Sequence, residues 1–355
     1  MKTVVIKIGG STLARDGSPD EEYLHGMARQ VAQLREEGWR AVIVTSGAIR
    51  VGLATIGRAQ AQRLPEKQAA AAIGQSLVMR AYRRSFNAVE MHVAQLLLTR
   101  ADTADRRRFL NARHTMEQLF RWGVVPVVNE NDTVATEEIR FGDNDTLAAL
   151  TALVAEANLV VLLSDVDGFY MPGASTPLQR VEVISAEIEA AAGGAGTPGG
   201  TGGMRTKLEA ARIAMQAGMD LVIAQGREPE AIVRLARGEK LGTCFAAGVA
   251  LRGRKRWIAH GHRPSGTLVL NDRARKPLLS GASLLPIGIT DVEGEFAAGA
   301  LVALRDSSGE YGRGLSNFSS DELRRVAGMH SSQIARVLGR MNCEEAIHRD
   351  NLTLK

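Results

Sequence analysis

The sequence has few cysteines, few aromatic residues and no long hydrophobic run. Its 355 residues include only Cys244 and Cys343, which argues against a disulfide framework and suits a reducing compartment. A membrane-spanning helix needs about 20 consecutive apolar residues, and the apolar runs here are far shorter. A strand-like segment begins within the first ten residues, so we expect no signal peptide. These absences predict a cytoplasmic protein without a membrane partner.

An excess of charge of one sign is also missing from most of the chain. The formal net charge is +5, yet residues 1–251 hold 28 basic and 28 acidic side chains. Residues 252–262 add four cations and no acid, and residues 263–355 hold 12 basic and 11 acidic side chains. Because the excess is confined to one short run, an extended nucleic-acid-binding face is not favoured. The length and the 45% apolar content predict two domains with a substantial core.

Two clusters of carboxylates and amides follow a short apolar run. The run at 124–128 (VVPVV) predicts a buried strand, and it precedes NEND at 129–132 and GDND at 142–145. Asp and Asn are common in turns. In parallel α/β sheets, however, ligands bind beyond the carboxyl ends of the strands. Two such clusters, one of them directly at a strand end, therefore favour a binding site.

A second candidate site lies at the end of the first predicted strand. Residues 3–8 (TVVIKI) run into Gly9 and Gly10, and paired glycines at a strand exit let the backbone approach an anion. Lys7 lies within this apolar strand. It either extends its ammonium group to the strand end as a solvated lysine or contacts a phosphate. The adjacent glycines favour the phosphate contact.

Two more predicted strands end in small polar residues. Residues 41–44 lead to Ser46, a candidate ligand contact whose ordinary role would be to cap the next helix. Residues 159–163 lead to the carboxylates of Asp165 and Asp167. These carboxylates suit a ribose or a metal-linked water, but they suit a simple Asp-Gly turn equally well.

A glycine-rich segment precedes a strong helical pattern. Residues 193–203 contain seven glycines. A G-x-G-x-x-G match within them does not follow a strand, so we reject a dinucleotide fingerprint. A flexible linker is the ordinary interpretation. The run TGGMRTK at 201–207 nevertheless enters the helix directly, with Lys207 in its first turn, which favours a mobile phosphate-binding loop.

The order of the predicted elements indicates the fold class. Strand and helix patterns alternate over residues 1–251, which predicts an α/β domain: a three-layer α/β/α sandwich with a mainly parallel sheet. After a basic linker at 252–262, the pattern predicts a small, mostly-β domain at 263–345 with a helix at 320–327, and a tail at 346–355 follows. The short strands of this second domain are predicted at 267–270, 285–289, 292–296 and 301–304.

Several of these motifs together resemble one family over nearly the whole chain. The sequence is similar to the glutamate 5-kinases of the amino acid kinase family, which often carry a C-terminal PUA domain. The long acidic block and TGGMRTK are specific, whereas VIKIGG and SDVDGFY are shared with aspartate, acetylglutamate, carbamate and uridylate kinases. The resemblance rests on VIKIGGS (5–11), VTSGAI (44–49), LLLTRAD (96–102), FLNARHT (109–115), PVVNENDTVATEEIRFGDND (126–145), TGGMRTK (201–207) and GASLLPIGI (281–289).

This resemblance implies ATP-dependent phosphorylation of the side-chain carboxylate of L-glutamate to L-glutamyl 5-phosphate, the first step of proline biosynthesis. Mg²⁺ would arrive with ATP, without a metal site of the protein's own. Lys7 and Lys207 would contact the transferring phosphoryl group, and Asp145 would hold both lysines. Glutamate would be bound by Ser46, Asp132 and Asn144.

The resemblance also implies a nucleotide site. Gly9 and Gly10 would offer backbone N–H groups to phosphate oxygens. Ser164 stands where the family has threonine, a change that keeps the hydroxyl group. The residues implied at this site are Lys7, Gly9, Gly10, Ser164, Asp165, Thr201, Gly202, Gly203, Met204, Arg205, Thr206 and Lys207.

Further partners are implied only by the resemblance. They are proline as a feedback inhibitor, a second copy of the chain in a homo-oligomer (dimer or tetramer), and a glutamyl-phosphate reductase that receives the product. One alternative is a different acceptor within the same family. Another is RNA binding by the PUA domain, aided by the basic run at 252–257. The near-zero charge and few aromatics of residues 263–355 favour a structural or regulatory role for that domain instead.

Overall fold

The computed structural model describes residues 1–135, 144–193, 203–248, 264–338 and 344–354. The chain divides into two units, Met1–Ala250 and Leu251–Lys355. The expected basic linker at 252–262 and two of the expected nucleotide-site residues, Thr201 and Gly202, lie outside the described residues.

The first unit alternates strands and helices, as the sequence pattern predicts. Its strands are β1 (Lys2–Ile8), β2 (Ala14–Arg15), β3 (Ser18–Pro19), β4 (Trp39–Val44), β5 (His92–Leu98), β6 (Val124–Glu130), β7 (Leu159–Ser164), β8 (Arg180–Val181), β9 (Asp220–Gln225) and β10 (Thr243–Phe245). Its helices are α1 (Gly10–Leu13), α2 (Glu21–Glu36), α3 (Ala48–Thr55), α4 (Leu64–Asn87), α5 (Arg100–Ala104), α6 (Arg106–Arg121), α7 (Asp145–Val154), α8 (Ala186–Ala191), α9 (Met204–Gln216) and α10 (Ala231–Ala236).

The main sheet of this unit has eight strands in the order β5-β6-β4-β1-β7-β9-β10-β8. The first six strands in this order are parallel to one another, whereas β10 and β8, which are parallel to each other, run antiparallel to them. The expectation of a mainly parallel α/β sheet is therefore confirmed. Because these strands are parallel, the segments that leave β1, β4, β6, β7 and β9 meet at one edge, which we call the carboxyl edge.

The centre of the sheet is buried on both faces. In β1, Val4, Val5 and Ile6 are fully inaccessible to solvent, although successive side chains of a strand point to opposite faces. Helices must therefore cover the sheet on both sides, which gives three layers. The covering helices contribute apolar stripes at helical spacing, such as Leu24, Met27, Val31 and Leu34 of α2.

Helices α3 and α4 pack with little space between their backbones. A Cβ atom added to Gly74 of α4 would lie 1.8 Å from the carbonyl oxygen of Ala48 of α3. A Cβ atom added to Gly52 of α3 would lie 1.8 Å from the carbonyl oxygen of Ala70 of α4. Only glycine fits at either position, so this glycine pair fixes α3 against α4. The sequence predicts a helix after Ser46, and α3 is that helix.

The second unit contains a five-stranded sheet in the order β12-β11-β13-β14-β15. Within it, β11 and β13 are parallel, and the other pairs are antiparallel. Its core includes Leu268, Val302 and Leu323. Its strands are β11 (Gly266–Leu270), β12 (Ile289–Glu293), β13 (Leu301–Asp306), β14 (Gly309–Leu315) and β15 (Leu352–Leu354), and its helices are α11 (Asp272–Leu279), α12 (Ser320–Val326) and α13 (Ser331–Leu338).

Two of the strands predicted in this unit are wrong in their bounds. The segment at 285–289 is largely a 3₁₀ turn, Pro286–Gly288, because proline has no N–H to give to a sheet. The segment at 292–296 leaves the sheet after Glu293, because Gly294 adopts a positive φ of 86°. The mostly-β character and the helix near 320–327 are confirmed. Within the described residues, no helix combines the length and apolarity needed to cross a membrane.

Candidate active site

A buried cluster of two ammonium groups and one carboxylate lies at the carboxyl edge. Lys7 is on β1, Asp145 is the first residue of α7, and Lys207 is in the first turn of α9. Oδ1 of Asp145 lies 2.7 Å from Nζ of Lys7, and Oδ2 lies 3.0 Å from Nζ of Lys207. Asp145 is 0% exposed, and the lysines are 2% and 5% exposed. Two ammonium groups side by side are suited to contact an anionic ligand.

The carboxylate of Asp145 remains ionised although it is buried. Burial raises its pKa, but the adjacent ammonium groups of Lys7 and Lys207 outweigh that effect and hold the pKa below its ordinary value. The hydroxyl of Thr206 also donates to Oδ2, at 3.2 Å. With three donors around it and a low pKa, Asp145 is a poor proton acceptor. Its geometry instead fixes the positions of the two ammonium groups.

The glycines after β1 bring two loops of the carboxyl edge together. Gly10 begins α1, and a Cβ atom added to it would lie 3.3 Å from the Cα of Gly47, in the loop after β4. The N–H of Gly9 donates to the carbonyl oxygen of Leu163 at 3.4 Å. Of the two N–H groups that the resemblance assigns to phosphate, that of Gly9 therefore already has a protein acceptor in this conformation.

A chain of side-chain amides links β4, β6 and the start of α7. The Nδ2 group of Asn144 donates to the carbonyl oxygen of Thr45 and to Oδ1 of Asn129, the second at 2.7 Å. Oδ1 of Asn129 also accepts the N–H of Glu130 at 2.9 Å, and its Nδ2 donates to Oε1 of Gln75 at 2.6 Å. Both amide hydrogens of Asn144 are used in these bonds. The group that this side chain could offer to a ligand is therefore its Oδ1 atom, which is an acceptor.

Ser46 and Asp132 lie at the exits of β4 and β6. The Oγ atom of Ser46 is buried and has no hydrogen-bond partner within the described residues, so it can donate to a ligand or accept from one. Asp132 is half-buried, and this burial raises its pKa to about 6. A carboxylate that is costly to ionise is stabilised by a cationic ligand group. Ser46 and Asp132 thus offer complementary contacts to an amino acid.

The exits of β7 and β9 are joined by hydrogen bonds. The hydroxyl of Ser164 donates to Oδ1 of Asp165 at 3.0 Å. The side chain of Gln225 donates to the carbonyl oxygen of Asp165 at 3.2 Å. The N–H of Gly226 donates to the carbonyl oxygen of Ser164 at 2.7 Å. These contacts give the loop a defined shape beside β1, where a nucleotide could lie.

The Asp-Gly turn considered for this loop does not explain its glycine. Gly168 has no positive φ, as a type I′ turn would require. Instead, a Cβ atom added to Gly168 would lie 2.6 Å from the Cβ of Pro177. The carboxylate of Asp167 accepts the hydroxyl of Tyr170. Gly168 is therefore required by packing.

The described part of TGGMRTK forms the entrance to α9. Gly203 precedes the helix, and its carbonyl oxygen accepts the N–H and the hydroxyl of Thr206. Arg205 is exposed, Met204 is half-buried, and Lys207 points into the buried cluster. Within the described residues, no group of three His, Cys, Asp or Glu side chains is arranged to hold a metal ion.

Sequence reasoning does not identify Gln75, Thr45 or Tyr82, which lie behind the site. Gln75 and Tyr82 are on α4, and the hydroxyl of Tyr82 donates to Oγ1 of Thr45 at 3.0 Å. The sequence does contain a pattern that includes two of them: Gln68, Gln75 and Tyr82 are polar residues at every seventh position of α4. That spacing is also typical of a solvated helix face, so the pattern alone could not be interpreted.

Comparisons with known proteins agree with this division and fold. The model of the amino acid kinase family matches residues 2–225, and the model of the PUA domain matches residues 266–338. A carbamate kinase from Giardia lamblia, solved with bound AMP-PNP, resembles this chain with a TM-score of 0.51 and 16% identity. The alignment covers 69% of this chain and 98% of that one. At this identity, the likeness shows the fold alone.

Curated relatives are similar over their whole length. Glutamate 5-kinases from Geobacter sp. (strain M21) and Geobacter sulfurreducens are 45% and 46% identical, and each alignment covers 100% of this chain and 98% of the relative. The glutamate 5-kinase from Synechococcus elongatus is 45% identical, with 99% of both chains covered. Together with the family match over residues 2–225, these identities show that the chain belongs to the glutamate 5-kinases of the amino acid kinase family.

Proposed function

We propose that this protein transfers the γ-phosphoryl group of MgATP to the side-chain carboxylate of L-glutamate, giving L-glutamyl 5-phosphate and ADP. This is the first step of proline biosynthesis. The observation that carries the proposal is the buried pair of lysines, Lys7 and Lys207, held by Asp145 at 2.7 and 3.0 Å. The similarity of the whole chain to glutamate 5-kinases supports glutamate as the acceptor.

The chemistry needs no general base. A glutamate side chain has a pKa of about 4.3, so its nucleophilic oxygen is already charged at neutral pH. What remains is to align the two reactants and to stabilise charge on the equatorial oxygens of the transferring phosphoryl group. Lys7 and Lys207 supply that stabilisation from a buried, preorganised site. Asp145 keeps both ammonium groups in place before ATP arrives.

The acceptor site recognises a free amino acid. The α-ammonium group of glutamate pairs with the carboxylate of Asp132 and donates to Oδ1 of Asn144, which can only accept. The hydroxyl of Ser46 donates to a substrate carboxylate. The raised pKa of Asp132 supports this assignment, because a bound ammonium group would compensate the charge that burial disfavours.

The nucleotide occupies the neighbouring part of the carboxyl edge. Gly9 and Gly10 bring backbone close to the phosphates, and Ser164 and Asp165 shape the adjacent loop. Mg²⁺ enters as part of the MgATP substrate. The remaining contacts come from the entrance to α9: Thr201, Gly202, Gly203, Met204, Arg205, Thr206 and Lys207.

The proposed domain boundaries and partners follow the family. The kinase domain spans 1–251, a linker spans 252–262, the PUA domain spans 263–345 and a tail spans 346–355. We expect a homo-oligomer, inhibition by proline and delivery of the unstable acyl phosphate to a glutamyl-phosphate reductase. RNA binding is not proposed, because no observation on the described part of the PUA domain favours it.

The function is tested by ATP turnover with hydroxylamine present, which converts an acyl phosphate into a stable hydroxamate. We expect ADP and hydroxamate to form together when L-glutamate is supplied, and less of both when proline is added. Aspartate, acetylglutamate, carbamate and UMP should give much slower ADP release. Faster turnover with any of these acceptors, or ADP release from glutamate without hydroxamate, would contradict the proposal.

A further inference from the structure

Helix α4 presents three polar side chains along one line toward the carboxyl edge. Gln68, Gln75 and Tyr82 are seven residues apart, which is close to two helical turns, so they lie on the same side of the helix. Gln68 donates to the carbonyl oxygen of Ala135 at 3.1 Å, in the loop that follows Asp132. Gln75 and Tyr82 bond to the ends of β6 and β4. One helix thus contacts the segments that carry Ser46 and Asp132, and it reaches Asn144 through Asn129.

The orientation of the amide chain is determined at both ends by backbone groups. The carbonyl oxygen of Thr45 requires the NH₂ group of Asn144, and the N–H of Glu130 requires the oxygen of Asn129. The NH₂ group of Asn129 must therefore point to Gln75, whose Oε1 atom accepts it at 2.6 Å. Two neighbours therefore orient the Asn129 carboxamide: the N–H of Glu130 at its oxygen and Oε1 of Gln75 at its NH₂ group.

The choice of glutamine at this position is not explained by packing alone. The Nε2 atom of Gln75 is buried and has no hydrogen-bond partner within the described residues. A buried, unpaired NH₂ group disfavours the folded state. A methionine of the same length would avoid that cost. The useful atom of Gln75 is thus Oε1, the acceptor for Asn129.

We propose that Gln75 is a positioning residue of the glutamate site, which acts through Asn129 to hold Asn144 with its oxygen toward the substrate ammonium group. This inference rests on the proposed function, since it concerns binding of the same acceptor. Without Oε1 of Gln75, the N–H of Glu130 alone selects the orientation of the Asn129 carboxamide, so the flipped orientation, in which its NH₂ group opposes that of Asn144, becomes more populated. In that orientation the carbonyl oxygen of Thr45 is the contact left to hold Asn144, so the acceptor for the substrate ammonium group is held less firmly.

The test compares steady-state constants of Gln75 variants of the full chain. Gln75→Met removes the acceptor and keeps the length, and we expect the KM for glutamate to rise about tenfold. The KM for ATP should stay within about twofold, because the nucleotide is bound elsewhere. Gln75→Glu keeps an acceptor at the same distance and should restore most of the glutamate affinity. The matched control is Ser76→Ala, which removes an exposed bond within α4.

A double-mutant cycle tests the route through Asn144. In an Asn144→Ala background, Gln75→Met should change the KM for glutamate by less than about twofold, because the group it positions is absent. Additive effects of the two substitutions would overturn the proposed route. Equal rises of the KM for glutamate in Gln75→Met and Gln75→Glu would overturn the role of the acceptor atom.

Folding is followed by thermal melting of each variant. If Gln75→Met shows no melting transition, Gln75→Ala is used in its place, because alanine favours the helix. The expected rise in the KM for glutamate is the same. Failure of this inference is distinguishable from failure of the proposed function. Absence of glutamate-dependent turnover in the wild-type protein would refute the function, whereas active wild type with an unchanged glutamate KM in the variant refutes the positioning role alone.

Discussion

Lys7 and Lys207, which come from opposite ends of the kinase unit's sequence, bind the two oxygens of a single buried carboxylate. Asp145 lies 2.7 Å from one ammonium group and 3.0 Å from the other. One strand, β1, and the first turns of two helices, α7 and α9, must therefore be in place before the cluster exists. The cluster lies at the edge of the sheet where parallel α/β proteins bind ligands.

Removing either lysine should slow phosphoryl transfer more than it weakens glutamate binding. We expect Lys7→Ala and Lys207→Ala each to lower kcat by about 10²–10³, by analogy with the loss of one oxyanion donor. The KM for glutamate should change much less, because these cations act on the phosphoryl group. Steady-state kinetics with saturating MgATP measure both constants. Lys240→Ala, which removes an exposed lysine, is the control, and unchanged turnover in either active-site variant would remove that lysine from the reaction.

Replacing the shared carboxylate should affect stability as well as activity. Asp145→Asn removes the carboxylate that pairs with two buried ammonium groups, and breaking a buried ion pair in this way costs about 3–5 kcal/mol. We expect urea denaturation to show a lower free energy of unfolding. The control Asp321→Asn breaks an exposed pair with Arg324 and should cost less than about 1 kcal/mol. Equal stability of the two variants would mean that Asp145 is not needed to hold the lysines.

The sequence predicts the residues at the carboxyl edge better than the residues that pack behind them. Runs of Val, Ile and Leu that end in Gly, Ser, Asp or Asn mark strand exits, so Lys7, Ser46 and Asp132 could be identified as candidates from local patterns. Parallel pairing then brings these exits together. Lys207 could be placed because a glycine-rich run enters its helix directly.

The amide chain could not be predicted from local patterns. Gln75 meets Asn129 across 54 residues of sequence, and nothing in the residues around Gln75 distinguishes it from a solvated helix position. The packing of α3 against α4 could not be predicted for a related reason: it depends on two glycines, whose role appears only when the backbones meet. In the second unit, the turn at Pro286 interrupts an apolar run that resembles a strand. In each case, tertiary packing decides what the local pattern leaves open.

Glutamate binding should weaken in acid because of Asp132. Burial raises the pKa of this carboxyl group to about 6, so it is ionised above that pH and protonated below it. Only the ionised form pairs with the substrate ammonium group. The KM for glutamate should therefore be lowest above about pH 7 and rise by up to about tenfold per pH unit below 6. Kinetics between pH 5 and 8 measure this profile, with the KM for ATP as an internal reference.

The variant Asp132→Asn separates this group from others that titrate in the same range. It should raise the KM for glutamate at neutral pH, because the amide carries no charge, and it should flatten the acid limb of the KM profile. An acid limb that persists in Asp132→Asn would assign the titration to another group.

The close packing of α3 against α4 should contribute both to the stability of the fold and to the binding of glutamate. A Cβ atom on Gly74 would lie 1.8 Å from the carbonyl oxygen of Ala48, the first residue of α3. Gly74→Ala must therefore push α3 away, and overpacking of this kind costs about 1–3 kcal/mol. Because Ser46 lies two residues before α3, the KM for glutamate should rise as well.

A second glycine-to-alanine change provides the matched control for this packing effect. Gly26 is also within a helix, α2, but no atom lies within 4 Å of an added Cβ. Gly26→Ala should therefore stabilise the protein by about 0.5–1 kcal/mol, since alanine loses less conformational freedom on folding than glycine does. Urea denaturation gives both free energies of unfolding, and the two substitutions should shift them in opposite directions. A stabilising effect of Gly74→Ala would mean that the two helices can separate without cost, and the glycine pair would then not be what places Ser46.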